Sequence, residues 1–313
     1  MTSSTLRVSI GMPLYNAEQY LTPTLDSILG QTFTGFELVI SDNGSSDRTE
    51  EICRAYAAKD GRIRYFREDI NRGAAWNHNR VFELSRGEYF KWASYDDLLD
   101  SRFLEKCVDV LDRQQDVIVC CTTVMDINGS GERMAIKSSE ASKWPEPHQR
   151  FRVMIDRSHS CEEIYGLMRA EVLRKTPLIA PYTSSDQNLL AELALYGRFF
   201  EVPEVLFFHR WHDRSTYKLW PDRSERWLWF DPSAGGRVMF PHWRQFYEYV
   251  ASIRRSPARL SQRLRCYLHM LRWLRECRRN LADDLNWGGR EWVKAHFPWV
   301  RTVYRSIRSH ANT

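Results

Sequence analysis

Short apolar runs alternate with segments of helical periodicity along the first 125 residues of the chain. Five buried strands are predicted for the runs rich in β-branched and aromatic residues, namely Arg7–Met12, Phe36–Ser41, Arg62–Phe66, Glu88–Ala93 and Asp116–Met125. Apolar residues at three- and four-residue spacing predict helices between them, over Ala17–Leu29, Ser46–Ala58, Gly73–Leu84 and Asp100–Leu111. Strands joined by helices of this length pair in parallel through right-handed crossovers. The pattern therefore predicts an α/β doubly wound, mostly parallel sheet.

Polar segments follow the first four predicted strands, at the edge where ligands bind in such sheets. These segments are Pro13–Asn16, Ser41–Asp47, Glu68–Gly73 and Ser94–Asp97. A carboxylate after the second strand suits a hydrogen bond to a base or ribose. The Arg72-Gly73 turn before a helix suits a phosphate, through the guanidinium charge and free backbone N–H groups. The adjacent Asp96 and Asp97 suit a hard divalent cation, which would itself hold a diphosphate.

Each of these features also has a structural explanation. Asp42-Asn43-Gly44 is typical of a turn before a helix, which Ser46 or Asp47 would cap, and Asn16 is the expected N-cap of the first helix. Acidic residues before a helix favour the helix dipole, and a lone arginine is by default solvated. The order of the features along consecutive strands favours a common site, because independent turns would not all place polar chemistry at one edge.

The motifs in residues 7 to about 110 resemble the nucleotide-sugar half of inverting family 2 glycosyltransferases of the GT-A fold. The resemblance is carried by P-L-Y-N, S-D-N-G-S-S-D-R-T, N-R-G-A-A-W-N-H-N and S-Y-D-D-L-L, of which the second is the most specific. It continues more loosely to about Asp213. The resemblance implies a GT-A domain over residues 1–212, followed by a helical extension over 213–313.

The resemblance implies a nucleotide site that comprises Pro13, Tyr15, Asn16, Asp42, Asn71, Arg72, Gly73, Ser94 and Tyr95. In that site Pro13 and Tyr15 line the base pocket, Asp42 bonds the base, and the Asn71–Gly73 segment lies near the ribose and phosphates. Asp96 takes the last position of the family's Asp-x-Asp signature and binds Mg²⁺ or Mn²⁺ on the diphosphate. Ser94 replaces the first aspartate of that signature, so metal binding is expected to be weaker or to depend on Asp97 as well.

A second group of expected site residues lies further along the chain. Thr183–Gln187 precedes a predicted helix over Asn188–Tyr196; Ser184 or Ser185 suits its N-cap, and Asp186 suits a first-turn acid. The family carries its catalytic base at the head of this helix, so the resemblance implies that role for Asp186. The resemblance also implies that Arg210 and His212, after a predicted strand over Leu206–Arg210, lie near the diphosphate or the metal.

This residue set suits inverting sugar transfer. An acceptor hydroxyl attacks in line while a base takes its proton, and a metal neutralises the leaving diphosphate, so no covalent nucleophile is needed. The resemblance implies a nucleoside diphosphate sugar as donor, with UDP as the family's usual nucleotide and dTDP or GDP as alternatives. The expected acceptor is a glycan or lipid-linked saccharide, in polysaccharide biosynthesis. Because Ser94 departs from the signature, a catalytically silent nucleotide-sugar-binding or scaffold protein remains the alternative.

Charge is unevenly distributed over the 313 residues, whose net charge is +5. From Asp213 onward there are 20 lysines and arginines against 9 acidic residues, and 8 of the 12 tryptophans. No run of eighteen apolar residues occurs, which excludes a membrane-spanning helix. The start of the chain lacks the pattern of a secretory signal, which predicts a cytoplasmic protein, and the seven cysteines are expected to be reduced and mostly buried.

The basic extension contains a leucine-rich segment over Pro257–Leu285, with Arg278 interrupting its stripe. Two interpretations remain open. The stripe packs on the catalytic domain or a partner helix, or the segment rests on an anionic membrane surface as a peripheral contact at the inner face of the plasma membrane. No nucleic-acid-binding motif accompanies the arginines, so no nucleic-acid partner is expected. Before the extension, Asn128–Pro147 is expected to be a loop.

Overall fold

The computed structural model describes residues 6–213, 223–235 and 240–296, and all statements of number below refer to these residues. Nine strands belong to one sheet: β1 Val8–Leu14, β2 Phe36–Asp42, β3 Ile63–Arg67, β4 Tyr89–Trp92, β5 Leu98–Leu99, β6 Val117–Asn128, β7 Arg133–Lys137, β8 Leu167–Arg169 and β9 Arg198–Trp211. Eleven α-helices accompany them: α1 Glu18–Leu29, α2 Thr49–Ala57, α3 Ala74–Glu83, α4 Phe103–Arg113, α5 Pro147–Met154, α6 Ala170–Leu173, α7 Ser185–Leu193, α8 Arg223–Phe230, α9 Pro241–Arg255, α10 Leu260–Glu276 and α11 Arg278–His296.

The sheet has the strand order β3-β2-β1-β4-β8-β6-β9-β5, and β7 pairs with the free end of β6. Strands β1 to β4 are parallel, as the strand–helix alternation predicts. Leu14 lies opposite Asp42, and Asp42 lies opposite Arg67, so the carboxyl ends of β1, β2 and β3 meet in one row. The predicted α/β doubly wound architecture is confirmed, and the polar segments after these strands share one edge.

The second half of the sheet is more mixed than the sequence predicts. β8 lies between β4 and β6 and runs antiparallel to both, so the fifth predicted strand does not pair directly with the fourth. A strand of three residues is too short to show alternation, which is why the pattern missed it. The expected loop at Asn128–Pro147 contains β7 and a 3-10 turn at Ala141–Lys143, and β9 begins eight residues before the strand predicted at Leu206.

Two hydrophobic clusters cover the two faces of the sheet. One face carries α1, α2 and α4, and the other carries α3, α5 and α7. Helices α9 and α10 contribute Tyr249 and Trp273 to the second cluster, where they lie with Phe151 of α5 and Leu190 of α7. The domain boundary at residue 212 stays a prediction, but the helices that follow it share a core with the residues before it.

The leucine stripe of the extension packs only in part: Tyr267, Leu274 and Leu281 contact the core, whereas the other leucines of the stripe are exposed. The helix breaks at Cys277, between α10 and α11, and α10 buries Cys266, Met270 and Trp273 instead. Leucines at four positions of α10 are between 55% and 71% exposed: Leu260, Leu264, Leu268 and Leu271. The buried face therefore lies beside the predicted stripe rather than on it. None of the helices in the described ranges has the length and apolarity needed to cross a bilayer.

Candidate active site

The loops after β1, β2 and β3 are held together by side-chain amides. The Asn43 amide donates to Oδ1 of Asn71 at 2.9 Å and accepts from the backbone N–H of Arg72 at 2.9 Å. Asn16 does not cap α1, because its Oδ1 accepts from the N–H of Ser46 at 2.9 Å in the neighbouring loop. Its φ of 51° lies in the left-handed region that asparagine tolerates best among non-glycine residues. The loops after β1, β2 and β3, where the nucleotide is predicted to bind, are therefore pre-organised by hydrogen bonds between them.

Asp42 lies at the centre of this edge and has no exposed surface. Its Oδ2 accepts hydrogen bonds from the Tyr65 hydroxyl at 2.8 Å and from Arg67 at 2.7 Å, and its Oδ1 accepts from the N–H of Ser45 at 2.9 Å. The sequence did not single out Tyr65 and Arg67, although the pairing of Arg67 with Asp42 follows from strand register. A base could reach this carboxylate only after one of these neighbours moves, so the predicted contact stays a prediction.

Two predicted residues at this end, Tyr15 and Arg72, have solvent access, whereas the third, Gly73, is buried. Tyr15 is 39% exposed, and the Arg72 side chain is 49% exposed, beside Glu68 at 3.0 Å and over the Trp76 ring at 5.0 Å. Gly73 has a φ of 92°, and its N–H donates to Asn71 Oδ1 at 2.8 Å. An aromatic and an arginine with solvent access suit a base and a phosphate respectively. Pro13, the remaining predicted member at this end, is partly buried.

The second group forms around Asp96. Its Oδ2 lies 2.7 Å from Nε2 of His212, although 116 residues separate the two, and its Oδ1 accepts from the Ser94 hydroxyl. The His212 ring is 97% enclosed as a side chain (3% exposed) and packs against Tyr20, with ring centroids 4.8 Å apart, and more distantly against Tyr95. His212 thus lies beside the signature carboxylate, and its nearness to a diphosphate or a metal stays a prediction. The hydroxyl at Ser94 holds Asp96 in place.

Asp97 and Arg210 lie behind this pair. Oδ1 of Asp97 accepts from the backbone N–H of Arg210 at 2.9 Å, whereas Oδ2 is buried with no hydrogen-bond partner in the described chain. Burial raises the pKa of the Asp97 carboxyl well above its ordinary range, and the neighbouring charge of Asp96 adds to the rise. The Arg210 guanidinium donates to the carbonyl of Asp96 at 2.8 Å and stacks on Tyr20. Arg210 therefore clamps the Asp96 loop, and a phosphate contact would require these bonds to be exchanged.

Asp96 and His212 suit two of the ligands of the divalent cation that the sequence predicts, and the ligand atoms of Asp96, Asp97 and His212 do not all lie within 4.8 Å of one another. Asp96 and His212 offer an oxygen and a nitrogen 2.7 Å apart, both of which ligate metals in proteins. The orphaned oxygen of Asp97 lies on the adjacent residue, and a cation beside it would offset the burial that raises its pKa. Asp96 and Asp97 stay the predicted ligands, and His212, predicted to lie near the diphosphate or the metal, lies beside Asp96.

A different acidic cluster, Asp126, Glu162 and His209, also brings three potential ligand atoms within 4.8 Å of one another. The Lys137 ammonium lies within this cluster, 3.0 Å from Asp126 and 2.7 Å from Glu162. A bound cation would have to displace that lysine, so the cluster is a salt-bridge network rather than a second metal site.

Asp186 occupies the first turn of α7, at the head of the helix. Ser184 has a left-handed φ of 67° and makes no side-chain cap, and the Ser185 hydroxyl is buried with no partner in the described residues. The helix-cap explanation of these serines is therefore wrong. Burial raises the pKa of the Asp186 carboxyl above its usual range, and the Gln187 N–H, 2.9 Å from Oδ1, opposes that rise. A carboxylate with a raised pKa suits a general base.

Asp186 lines a cavity of about 510 Å³. The part of the chain before residue 213 contributes His78 of α3, Trp92 of β4 and residues at the start of α7. The extension contributes the rest of the wall, with residues from α8 and α9 that include Trp229, Phe230 and Gln245. The sequence assigned no activity to the extension, because tryptophans in a basic helical segment carry no chemical signature of their own.

Tyr165 lines this cavity and is also close enough to Asp96 and Asp97, the predicted metal ligands, to be affected by their charges. Burial raises the pKa of its phenol well above the ordinary range, and the negative charges of Asp97, Asp96 and Asp186 raise it further. Three carboxyl groups from two distant parts of the sequence therefore act on one side chain. On the nucleotide side, Gly73 lies against the backbone carbonyl of Phe230, a residue that also lines the cavity. Tyr165 and Phe230 thus lie between the three groups of predicted residues, and their union in one site stays a prediction.

Three comparisons with known proteins agree with this picture. The family model described as "Glycosyl transferase family 2" matches residues 9–175, more than half of the chain. An uncharacterized glycosyltransferase RT0329 of Rickettsia typhi is 33% identical over 147 residues, which are 46% of this chain and 42% of the relative. Glycosyltransferase GlyG of Streptococcus pneumoniae is 31% identical over 113 residues, 36% of this chain and 38% of the relative. The chain spans less than half the length of these curated relatives.

Solved structures with the same fold cover more of the chain. TarS residues 1–349 from S. aureus, in complex with UDP-GlcNAc, superpose with a TM-score of 0.65 at 16% identity, over 92% of this chain and 81% of that one. The mannosyltransferase PcManGT from Pyrobaculum calidifontis, in complex with GDP-Man and Mn²⁺, gives a TM-score of 0.52 at 15% identity, over 95% of this chain and 88% of that one. At these identities the likeness shows the fold alone, and it confirms the expected GT-A architecture with C-terminal helices.

Proposed function

Because this chain belongs to glycosyl transferase family 2, we propose that it transfers a sugar from a nucleoside diphosphate donor to a hydroxyl acceptor with inversion. The observation that carries the proposal is the position of Asp186. Its carboxyl group, with a raised pKa, lies in a cavity that Tyr165 joins to the Asp96–His212 pair. A proton acceptor inside the cavity and a cation site beyond Tyr165 suit in-line displacement of a diphosphate.

In this mechanism Asp186 takes the proton from the acceptor hydroxyl as its oxygen attacks the anomeric carbon. The bond from that carbon to the diphosphate oxygen breaks, and the nucleoside diphosphate leaves from the opposite face of the sugar. The Gln187 N–H holds Oδ1 of Asp186, which leaves Oδ2 to accept the proton. The buried surroundings keep the carboxyl basic enough for that transfer.

Asp96, His212 and Asp97 would hold Mg²⁺ or Mn²⁺, which when bound supplies positive charge to the leaving diphosphate. Arg210 keeps the Asp96 backbone in position through its 2.8 Å hydrogen bond. Tyr15 and Arg72 would contact the base and phosphates, and Asp42 would orient the base. We take UDP as the first nucleotide to test, because TarS, which has the same fold, was crystallised with UDP-GlcNAc. PcManGT with GDP-Man and Mn²⁺ makes GDP the second.

The decisive experiment measures release of nucleoside diphosphate. Wild-type protein should release it from a UDP- or GDP-sugar in the presence of Mn²⁺, and chelation by EDTA should abolish the release. Asp186→Asn should bind the donor with unchanged affinity and turn over at least about 10³-fold more slowly, since the amide cannot accept the proton. Gln187→Glu is a poor control because it adds charge; Asp156→Asn, an acid nearby that the mechanism does not use, is the matched one.

Two observations favour the alternative, a catalytically silent nucleotide-sugar-binding protein. The Asp42 carboxylate is fully buried and bonded by Tyr65 and Arg67, and Ser94 stands where the signature has an acid. If wild type and Asp186→Asn both bind nucleotide sugars and neither releases nucleotide from a broad donor set, the silent function replaces the enzymatic one.

We propose further that the acceptor is a glycan or lipid-linked saccharide and that the protein works at the cytoplasmic face of the plasma membrane. The exposed leucines of α10 would enter the lipid surface, and its four arginines face only one acid, Glu276, within the helix. That charge complements anionic headgroups. The protein should sediment with phosphatidylglycerol vesicles at low salt, and Leu264→Asp with Leu268→Asp should abolish this. Sedimentation that persists in the variant, or dimerisation that the variant removes, would refute the membrane contact.

A further inference from the structure

His78 lines the same cavity as Asp186 and has no role in the mechanism above. Its Nδ1 lies 2.8 Å from the carbonyl oxygen of Ala74 in the preceding turn of α3. A carbonyl oxygen only accepts hydrogen bonds, so Nδ1 carries the ring proton. Burial lowers the pKa of His78, and the ring is therefore neutral. Nε2 must then be an unprotonated nitrogen, which can only accept a hydrogen bond.

The backbone around His78 keeps this arrangement in place. The indole N–H of Trp92 donates to the carbonyl of His78 at 3.0 Å, and both residues line the cavity. No described residue donates to Nε2 of His78. The Ser185 hydroxyl, 99% buried as a residue (1% exposed), lines the same cavity with no partner. An acceptor nitrogen on the cavity wall and a buried hydroxyl, neither bonded to a described residue, mark a cavity that lacks its polar ligand.

The location of the cavity indicates which ligand it takes. His78 lies one turn after Gly73, at the end of the segment proposed to bind phosphates, and Trp92 lies two residues before Ser94 at the metal group. A diphosphate held between those two points places the sugar on its far side, against Asp186. The volume of about 510 Å³ is within the range of small-ligand pockets and is large enough for a hexose ring. Trp92, Trp229 and Phe230 supply the apolar surface that the C–H face of a sugar contacts.

We propose that this cavity binds the sugar ring of the donor, that Nε2 of His78 accepts a hydrogen bond from a hydroxyl or amide N–H of that sugar, and that Trp229 of the C-terminal extension forms the opposite wall. The inference rests on the proposed transferase function and deepens it, because it assigns sugar selection to α3 and to the extension. Sugars without a donor group at that position would leave Nε2 unpaired and would bind more weakly.

Two substitutions at His78 separate this role from a structural one. Glutamine places its amide where Nε2 stands and can still accept a hydrogen bond, whereas asparagine reaches only as far as Nδ1. Titration calorimetry with Mn²⁺ should compare UDP with UDP-GlcNAc, UDP-Glc and UDP-Gal for wild type, His78→Gln and His78→Asn. We expect wild type to bind at least one of these UDP-sugars more tightly than UDP.

For that sugar, His78→Asn should reduce the affinity about 3- to 10-fold, the effect of one net hydrogen bond, while the affinity for UDP stays within twofold. His78→Gln should stay within about twofold of wild type for both ligands. Trp229→Ala should likewise weaken the UDP-sugar and spare UDP, with Trp229→Phe as its control; this pair carries the test if His78→Asn does not fold.

Other results would overturn the inference. Equal losses for UDP and UDP-sugar in both pairs would make the residues structural. Unchanged UDP-sugar affinity with a raised KM for the acceptor would assign the cavity to the acceptor. Wild type that binds UDP but gains nothing from any of the sugars would refute the sugar pocket alone, whereas wild type that neither binds nor turns over any nucleotide would refute the proposed function itself.

Discussion

Gly73→Ala is the substitution that tests most directly how the nucleotide loop and the extension fit together. Gly73 has a φ of 92° and a ψ of 159°, a region that is essentially restricted to glycine. A Cβ at this position would lie 2.5 Å from the Phe230 carbonyl oxygen and 2.6 Å from Cδ of Pro232. Both contacts are with backbone or a rigid ring, so neither can rotate away.

The expected loss follows from these two costs. A non-glycine residue in this region costs about 1 to 3 kcal/mol, and overpacking against a fixed neighbour typically costs about 1 to 3 kcal/mol more. We therefore expect Gly73→Ala to lower the free energy of unfolding by about 2 to 6 kcal/mol. If the Phe230–Pro232 segment shifts outward, the loss falls to the backbone cost alone, and the affinity for a UDP-sugar falls instead.

Urea unfolding followed by tryptophan fluorescence measures the first quantity, and titration calorimetry measures the second. The matched control is Gly61→Ala, where an added Cβ has no atom within 4 Å and φ is not positive. That change should leave stability equal or slightly raised, by less than about 1 kcal/mol. If the two variants agree within about 0.5 kcal/mol and bind donor alike, the reasoning about Gly73 is wrong.

Three further predictions follow from the site and its surroundings. The kcat of the wild type should rise with pH through a midpoint above the ordinary aspartate range, since only ionised Asp186 accepts a proton; a midpoint within that range would contradict the base assignment. Ser94→Asp should lower the Mn²⁺ concentration for half-maximal activity about tenfold, and an unchanged metal titration would exclude Ser94 from the metal group. Burial lowers the pKa of Lys91 to about 8, so the folded state loses this proton before the unfolded state does. Stability relative to Lys91→Met should therefore increase by about 2.5 kcal/mol between pH 7 and 10, and a difference that does not change with pH would refute this.

The sequence predicted the first half of the fold well because its signals are local. Strands and helices over residues 8–113 differ in hydrophobic period, and the structure places their boundaries within a few residues of the prediction. The three-residue β8 has no period to detect. The pairing of Asp96 with His212 joins positions 116 residues apart, and only the resemblance to a family indicated that they lie near each other.

The roles inside the site were less predictable than its location. Asp42 was expected to face the ligand, yet Tyr65 and Arg67 fill its hydrogen-bonding positions, which depends on strand register. The sequence predicted no function for His78, although it belongs to the N-R-G-A-A-W-N-H-N motif. The tautomer of its ring depends on a hydrogen bond to the carbonyl oxygen of Ala74, four residues earlier. A histidine in the second turn of a helix is common, and the amino-acid sequence does not show which of its two ring nitrogens carries the proton.

The shared core beneath α9 and α10 has a consequence for how this chain can be cut and recombined. Tyr249 and Trp273 pack in the same hydrophobic cluster as Phe151 and Leu190. Deleting all residues after 212 would therefore expose a large apolar surface on the remaining domain. The truncated protein should therefore aggregate and should not be an active minimal enzyme. A chimera with a relative would have to take the C-terminal extension and the α5–α7 region from the same parent. A junction at residue 212 would combine an extension and a core surface that do not match.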